Sequence, residues 1–183
     1  MNIISTNIED CLVIEPKVFF DERGYFFESF NETVFQKETG LSVRFIQDNQ
    51  SKSSRGVLRG LHYQRAEYQQ AKLVRVLQGE VLDVVVDLRK DSSTYGQHFT
   101  EVLSDSNFKQ VYIPRGCAHG FIVRSEYAIF SYKCDNIYNK ESEGGIKYDD
   151  PSLGIDWEFN LEEVIVSEKD KVLPLFEKAL SLW

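Results

Sequence analysis

The sequence predicts a mainly β fold with a few short helices, a sandwich or barrel such as a jelly roll. Ten short runs rich in Val, Ile, Phe and Tyr follow one another along 183 residues, many of them alternating between apolar and polar positions. Turn residues separate the runs, and regularly spaced strands with few helices are typical of this fold class. Because a chain of this length buries roughly 70% of its unfolded surface, we expect one domain over residues 1–183.

Composition excludes several classes of protein. The chain has 29 acidic and 21 basic side chains and a net charge of −8, which argues against a nucleic-acid partner. Its apolar runs fall short of the ~18 residues of a membrane span, and its first ten residues lack the pattern of a secretory signal. The lack of such a run predicts no membrane partner. Three cysteines without a CxxC pair favour reduced thiols in a cytoplasmic protein, with neither a disulfide framework nor a cysteine metal site.

The predicted elements follow from local pattern. Two glycine- or serine-containing segments, 78–81 and 104–107, predict hairpin turns. A helix is predicted over 31–39, with Asn31 as its cap and Gly40 at its end, and helical spacing at Leu175, Phe176, Ala179 and Leu180 predicts another over 174–182. The predicted strands are CLVIE (11–15), GYFFESF (24–30), VRFIQ (43–47), GVLRGLHYQ (56–64), KLVRVLQ (72–78), VLDVVVDLR (81–89), HFTEVL (98–103), KQVYIP (109–114), GFIVRS (120–125) and YAIFSYK (127–133).

Strand alternation separates core from other positions. In VLDVVVDLR, four aliphatic residues share one face, while Asp83, Val85 and Asp87 share the other, which faces either solvent or a second sheet. Lys72 has the same parity as Val74 and Val76. A lysine on an apolar face is costly unless it meets an anion or lies at the end of the strand.

Polar side chains on otherwise apolar strands are the candidates for chemistry. Arg59 and His62 lie in GVLRGLHYQ, His119 follows a Pro/Gly turn in PRGCAHGF, and Tyr132 lies on an apolar strand. Each has a structural interpretation, since a lone His or Tyr on a strand is more often part of the core. Their coincidence in one β fold favours a pocket, because binding sites combine apolar walls with a few placed polar groups. The remaining candidates are Arg23 in a turn, Glu28 on a strand, and Lys169 and Asp170 in a polar turn.

A metal centre is disfavoured. PRGCAHGF resembles the second half of the cupin metal signature, but the matching strand carries His62 without a second His two residues away. His98 has no partner pattern either. A facial iron site requires two His and a carboxylate.

Five segments together resemble the dTDP-4-dehydrorhamnose 3,5-epimerase family, in the family's order and spacing from about residue 3 to about 174. They are FFDERGYFFESF, QDNQSKSSRGVLRGLHYQ, KLVRVLQGEVLDVVVDLRKDSSTYG, PRGCAHGFIV and YDDPSLGIDW. The resemblance implies a cupin-type jelly roll, a homodimer and no metal or other cofactor. It implies conversion of dTDP-4-dehydro-6-deoxy-D-glucose to dTDP-4-dehydro-L-rhamnose. The segments SSTYG and 65–71 depart slightly from the family pattern. The resemblance therefore supports the reaction type more strongly than the details of substrate binding.

The resemblance also implies roles for four residues. Inverting a carbon beside a ketone requires a base, an acid on the opposite face and a group that holds the enolate oxygen. By resemblance, His62 is the base and Asp170 orients its imidazole. Tyr132 is the proton donor on the far face, and Lys72 stabilises the developing oxyanion.

The remaining matches are substrate contacts. Arg23 and Arg59 resemble pyrophosphate ligands, and other positions resemble contacts to the sugar and base. These are Glu28, Gln47, Asn49, His119, Glu143 and Lys169, with Phe19 and Tyr138 as stacking partners of the thymine.

Two questions stay open. Arg59 and His62 differ by three, so a regular strand sends them to opposite faces. Either Gly60 marks a bulge, or Arg59 reaches a site shared between two chains. The alternative functions are an epimerase acting at carbon 3 or carbon 5 only, a metal-dependent cupin dioxygenase and a non-catalytic sugar-binding jelly roll.

Overall fold

Two antiparallel sheets face each other in the computed structural model, which describes residues 1–179. The mainly β sandwich predicted from the sequence is confirmed. The six-stranded sheet has the order β1 (Asn2–Ser5), β2 (Leu12–Glu15), β10 (Gln110–Ile113), β7 (Lys72–Gln78), β12 (Tyr127–Cys134) and β5 (Gln47–Ser54). The five-stranded sheet has the order β13 (Glu143–Gly145), β6 (Leu58–Gln64), β11 (Cys117–Val123), β8 (Glu80–Asp87) and β9 (His98–Ser104). A separate hairpin pairs β3 (Phe19–Asp21) with β4 (Gly24–Phe26).

Apolar side chains form three layers. Between the sheets, Val74 and Val111 from one sheet pack with Val85 and Phe121 from the other. A second cluster covers the outer face of the five-stranded sheet and includes Leu82, Val84, Val86, Leu88 and Trp157, and a third covers part of the outer face of the six-stranded sheet. The aliphatic face of β8 is therefore the outer one, and its other face, with the two aspartates, points to the second sheet.

The helices are short and capped. The predicted helix is confirmed as α1 (Glu32–Thr39), where Asn31 Oδ1 accepts from the Val34 N–H and Gly40 ends the helix with a φ of 73°. The remaining helices are α2 (Glu168–Lys171) and α3 (Phe176–Ala179), and single turns lie at 66–68, 140–142 and 161–163. The end of the predicted helix over 174–182, including Leu180, lies outside the described residues. Across residues 1–179, no helix is long and apolar enough to span a membrane.

Two strand predictions are wrong. Residues 43–46 of the predicted strand VRFIQ have no regular structure, and the strand begins at Gln47. Strand β5 reads QDNQSKSS and carries no apolar residue, so composition gave no signal. Its place at the edge of the sheet tolerates polar side chains because it pairs with β12 only. In GYFFESF the strand ends at Phe26, which leaves Glu28 in a loop.

Both predicted hairpin turns are also wrong. Segment 78–81 joins β7 to β8 and segment 104–107 joins β9 to β10, and in each case the two strands belong to different sheets. The turns cross the edge of the sandwich side by side, where the Gly79 N–H donates to Asp105 Oδ2 over 2.8 Å. Local turn residues indicate a reversal of the chain, and long-range pairing decides which strand lies alongside.

Candidate active site

A cavity of about 480 Å³ opens between the two sheets. Strands β6 and β11 of the five-stranded sheet form one wall, strands β5, β7 and β12 of the other sheet form the opposite wall, and the segment around α2 closes one side. Apolar side chains such as Phe121 and Phe130 line part of it. Seven predicted site residues also line it, namely Arg59, His62, Lys72, His119, Tyr132, Lys169 and Asp170.

His62 and Asp170 form a hydrogen-bonded pair. Nε2 of His62 lies 2.7 Å from Oδ1 of Asp170, whose side chain is 4% exposed. Asp170 lies in α2 rather than in the predicted turn, and Ser167 caps this helix by accepting from the Asp170 N–H. Burial alone raises the pKa of Asp170, but the hydrogen bond and charge of His62, the Gly60 N–H and Ser167 lower it below its ordinary value.

A bulge in β6 brings Arg59 and His62 to the same cavity. Opposite strand β11, His62 pairs with His119 and Arg59 pairs with Phe121, so three steps on β6 match two on β11. Gly60 has a φ of 144°, and a Cβ there would lie 2.5 Å from the Gly120 Cα. The close approach of the strands requires glycine at this position, and the extra residue breaks the alternation that separates Arg59 from His62.

Lys72 and Tyr132 approach the cavity from the opposite sheet. Burial lowers the pKa of Lys72, and the nearby Cys134, Asp83, Glu143 and Cys117 oppose this effect. Burial raises the pKa of Tyr132, so its phenol keeps its proton. A ligand in the cavity thus lies between the imidazole of His62 on one wall and the phenol and ammonium groups on the other.

His119 has a carboxylate partner that the sequence analysis did not assign. Its Nε2 lies 2.7 Å from Oδ2 of Asp83, and both side chains are buried. Burial lowers the pKa of His119, Asp83 raises it, and the charges of Lys72 and His62 lower it, with a net decrease. The sequence signal for this partner was Asp83 itself, a carboxylate on the face of VLDVVVDLR (81–89) that points between the sheets.

Two further predicted residues, Glu143 and Tyr138, form a polar cluster with Lys169 at the edge of the cavity. Lys169 forms an ion pair with Glu143, and the Tyr138 hydroxyl donates to Glu143 over 3.0 Å. Burial raises the pKa of Glu143, but these two partners and the charge of His62 together bring it below its ordinary value. Tyr138 is 53% exposed, which leaves its ring free to stack on a planar group.

Gln47 and Asn49 lie on β5 with the parity of Ser51, which lines the cavity. The Gln47 side-chain amide donates to Asn49 Oδ1 over 3.0 Å, and Asn49 Nδ2 lies 3.7 Å from Cys134 Sγ. The polar residues that kept β5 from being predicted as a strand thus supply hydrogen-bonding groups beside the cavity.

Three predicted contacts neither line the cavity of their own chain nor belong to the polar groups beside it. Phe19 and Arg23 lie on the β3–β4 hairpin, where the Arg23 side chain is 84% exposed and paired with Asp21. Glu28 accepts from the Asn31 side chain over 3.1 Å. Among residues 1–179, no group of three or more His, Cys, Asp or Glu side chains is placed to hold a metal ion.

The fold and the cavity between its sheets are those of a cupin-like enzyme of the isomerase class. The chain belongs to the dTDP-4-dehydrorhamnose 3,5-epimerase family, whose profile matches residues 5–178. The dTDP-4-dehydrorhamnose 3,5-epimerase of Methanothermobacter thermautotrophicus is 54% identical over 169 residues, which is 92% of this chain and 90% of that relative.

Solved structures agree with this membership. The dTDP-4-dehydrorhamnose 3,5-epimerase of Elizabethkingia anophelis NUHP1 has a TM-score of 0.94 at 55% identity, with 97% of each chain covered. The dTDP-6-deoxy-D-glucose-3,5-epimerase of Legionella pneumophila Philadelphia 1, in complex with dTDP-4-keto-L-rhamnose, has a TM-score of 0.92 at 50% identity. That comparison covers 96% of this chain and 93% of the Legionella chain.

Proposed function

We propose that this protein is a 3,5-epimerase that converts dTDP-4-dehydro-6-deoxy-D-glucose to dTDP-4-dehydro-L-rhamnose. The observation that carries the proposal is the His62–Asp170 pair on one wall of the cavity with Tyr132 and Lys72 on the other. Inversion beside a ketone removes a proton from one face of the sugar and returns a proton to the opposite face. Groups on two facing sheets meet this requirement, because the ring lies between them.

His62 is the base. With the ionised Asp170 accepting from Nε2–H, the lone pair of Nδ1 is left to take the proton. Asp170 then stabilises the imidazolium. Carbons 3 and 5 both flank the ketone at carbon 4, so deprotonation at either carbon places the negative charge on the same oxygen. One cation, Lys72, therefore serves both steps as the oxyanion partner, and Tyr132 returns a proton from the far face.

The remaining polar groups hold the nucleotide. Arg59 binds the pyrophosphate through its guanidinium fork. His119, Gln47 and Asn49 bind hydroxyl groups of the substrate, while Glu143 and Lys169 make further contacts beside the cavity. Tyr138 stacks on the thymine. The cavity requires only this local cluster of cations, which is compatible with the chain's net charge of −8.

Proton NMR in deuterated water tests the function. A 3,5-epimerase exchanges the substrate protons at both carbon 3 and carbon 5, and the product has the L-rhamno configuration. Exchange at one carbon only identifies a single-site epimerase, and binding without exchange identifies a sugar-binding protein. Loss of exchange on addition of a metal chelator contradicts the metal-free mechanism.

Tyr132→Phe is expected to lower product formation about 10²-fold while exchange of the first substrate proton continues. The reason is that the phenol is proposed to return the proton and takes no part in its removal. The measurement is the ratio of deuterium incorporated to epimer formed. Tyr112→Phe is the control, because this buried tyrosine packs on the outer face of the six-stranded sheet. Equal, small effects of Tyr132→Phe on exchange and on epimer formation would show that Tyr132 is a structural residue of the core.

We also propose a homodimer in which the β3–β4 hairpin of one chain completes the site of the other. The hairpin exposes four aromatic side chains, Phe19 at 53%, Phe20 at 70%, Tyr25 at 56% and Phe26 at 71%. Exposed apolar patches of this kind mark interaction surfaces. Arg23 at the tip carries a charge suited to a pyrophosphate, yet it does not line the cavity of its own chain.

A mixing experiment tests whether each site contains residues from both chains. Arg23→Ala is expected to raise KM about 10- to 100-fold through loss of a charged hydrogen bond. Mixing Arg23→Ala chains with His62→Ala chains restores activity at low substrate, because each heterodimer then holds one site with His62 and the partner's intact arginine. Mixing His62→Ala with Tyr132→Phe restores none, since both residues belong to one chain's cavity. A first mixture that stays inactive would contradict the shared site.

The location and domain organisation are proposed on simpler grounds. Cys11, Cys117 and Cys134 are buried free thiols, which supports a reducing, cytoplasmic compartment. We propose one catalytic domain over residues 1–183, with no nucleic-acid or membrane partner.

A further inference from the structure

Strand β8 carries two buried aspartates on the face that points between the sheets. Asp83 is 1% exposed and Asp87 is 0% exposed. They stand four residues apart on the same face of one strand, so they share the same backbone geometry and differ only in their surroundings. Burying a carboxylate is costly unless its oxygens find donors.

Asp87 has the surroundings of a structural carboxylate. Its Oδ1 accepts from the Arg89 N–H and Nε, and its Oδ2 accepts from Ser92, Thr94 and the Arg89 guanidinium. Burial raises its pKa, but these donors bring it down to about 2. Both oxygens thus serve to hold the loop from Arg89 to Thr94.

Asp83 differs, because one of its oxygens is left without a donor. Oδ2 is bound to His119, whereas Oδ1 is buried and has no hydrogen-bond partner within residues 1–179. A buried oxygen without a donor destabilises the folded protein. Its surroundings explain why a carboxylate stands there, since His119 and Lys72 both interact with its charge and both line the cavity.

We propose that Asp83 is a positioning residue for the epimerisation, which fixes the orientation and tautomer of His119 and supplies negative charge beside Lys72. This inference rests on the proposed function. Because the carboxylate accepts from Nε2–H of His119, Nδ1 is the atom that can accept from a sugar hydroxyl. Stacking of the His119 ring on Phe130, with centroids 5.9 Å apart, holds the same orientation.

Charges on the neighbouring strands define the electrostatics. Lys72 interacts with Cys134 on β12, Cys117 on β11, Glu143 on β13 and Asp83. His119 interacts with Lys72, His62 and Asp83. Removing the charge of Asp83 therefore lowers the pKa of Lys72 further, because a neutral lysine becomes easier to form. The basic limb of the rate profile, where Lys72 loses its proton, moves to lower pH.

Asp83→Asn tests the proposal with little change in volume. We expect kcat to fall by up to about 10²-fold with a much smaller change in KM, and the basic limb of kcat/KM to move to lower pH. Asp87→Asn is the matched control on the same strand face. It lowers the melting temperature but leaves the pH profile unchanged, because it lies in the Arg89–Thr94 network.

Nitrogen-15 NMR of the free enzyme supplies a readout that does not depend on turnover. The chain has three histidines, and a His98→Gln variant removes one signal for assignment. We expect His119 to be a neutral Nε2–H tautomer at pH 7 and to lose this preference in Asp83→Asn.

Three results overturn the proposal. The first is wild-type kcat and pH profile in Asp83→Asn. The second is loss of activity by both variants in proportion to their loss of thermal stability. The third is an Nδ1–H tautomer of His119 in the wild-type enzyme. If the wild-type enzyme exchanges no sugar protons, the proposed function fails, while the tautomer still tests the orientation of His119.

Discussion

Replacing His62 with Ala is expected to abolish solvent exchange at carbon 3 and carbon 5 together and to lower kcat about 10⁴-fold. The two losses coincide because one imidazole is proposed to serve both carbons. Among residues 1–179, the cavity contains one other histidine, His119. That histidine is buried against Asp83 and does not stand in the place of the His62–Asp170 pair. The measurement is loss of the two proton signals in deuterated water, followed separately.

His98→Ala is the matched control for this variant. His98 lies on the edge strand β9 and outside the cavity, so exchange at both carbons continues at the wild-type rate. Retained exchange at either carbon in His62→Ala would show that a different base serves that carbon. Unchanged binding of dTDP by His62→Ala shows that the cavity is intact, because the nucleotide contacts are assigned to other residues.

Replacing Asp170 with Asn is expected to lower kcat by about 10³- to 10⁴-fold, the order associated with losing the carboxylate that orients a catalytic imidazole. The amide keeps the size of the side chain but can donate from Nδ2 to Nε2 of His62. Donation in this direction places the imidazole proton on Nδ1, which removes the lone pair that takes the substrate proton. The measurement is kcat together with the exchange rates at both carbons.

Asp150→Asn separates this effect from a general loss of structure. Asp150 is also buried, and it accepts from Ser152 and from the Phe176 N–H at the start of α3, away from the cavity. We expect Asp150→Asn to unfold at lower temperature with normal kcat per folded molecule. If Asp170→Asn loses stability to the same degree and keeps its kcat, Asp170 has a structural role only.

Several features of the site could be predicted from single strands. Lys72 shares parity with Val74 and Val76, so its direction into the sandwich follows from alternation, and the structure places it in the cavity. The helix with Asn31 as its cap was equally readable, because capping depends on neighbours within one turn. Signals of this kind are local and require no knowledge of where the rest of the chain lies.

Other features depend on contacts between distant segments. The partner of His119 is 36 residues away along the chain, and the partner of His62 is 108 residues away. The two turns predicted as hairpins join different sheets, since the pairing partners of β7 and β10 come from elsewhere in the sequence. Strand β5 was missed because its polar residues carry no strand signal until β12 pairs with them.

The sequence by itself determined the fold class, the family and the chemical types of the candidate residues. Strand alternation, turn residues and motif spacing all depend on residues that are close together in the chain. The tertiary structure decided which face of β8 points inward, that a bulge at Gly60 brings both Arg59 and His62 to one cavity, and that Asp83 is hydrogen-bonded to His119. These outcomes follow from strand register and close packing between segments far apart in the chain, and a one-residue change in register sends every side chain of a strand to the opposite face.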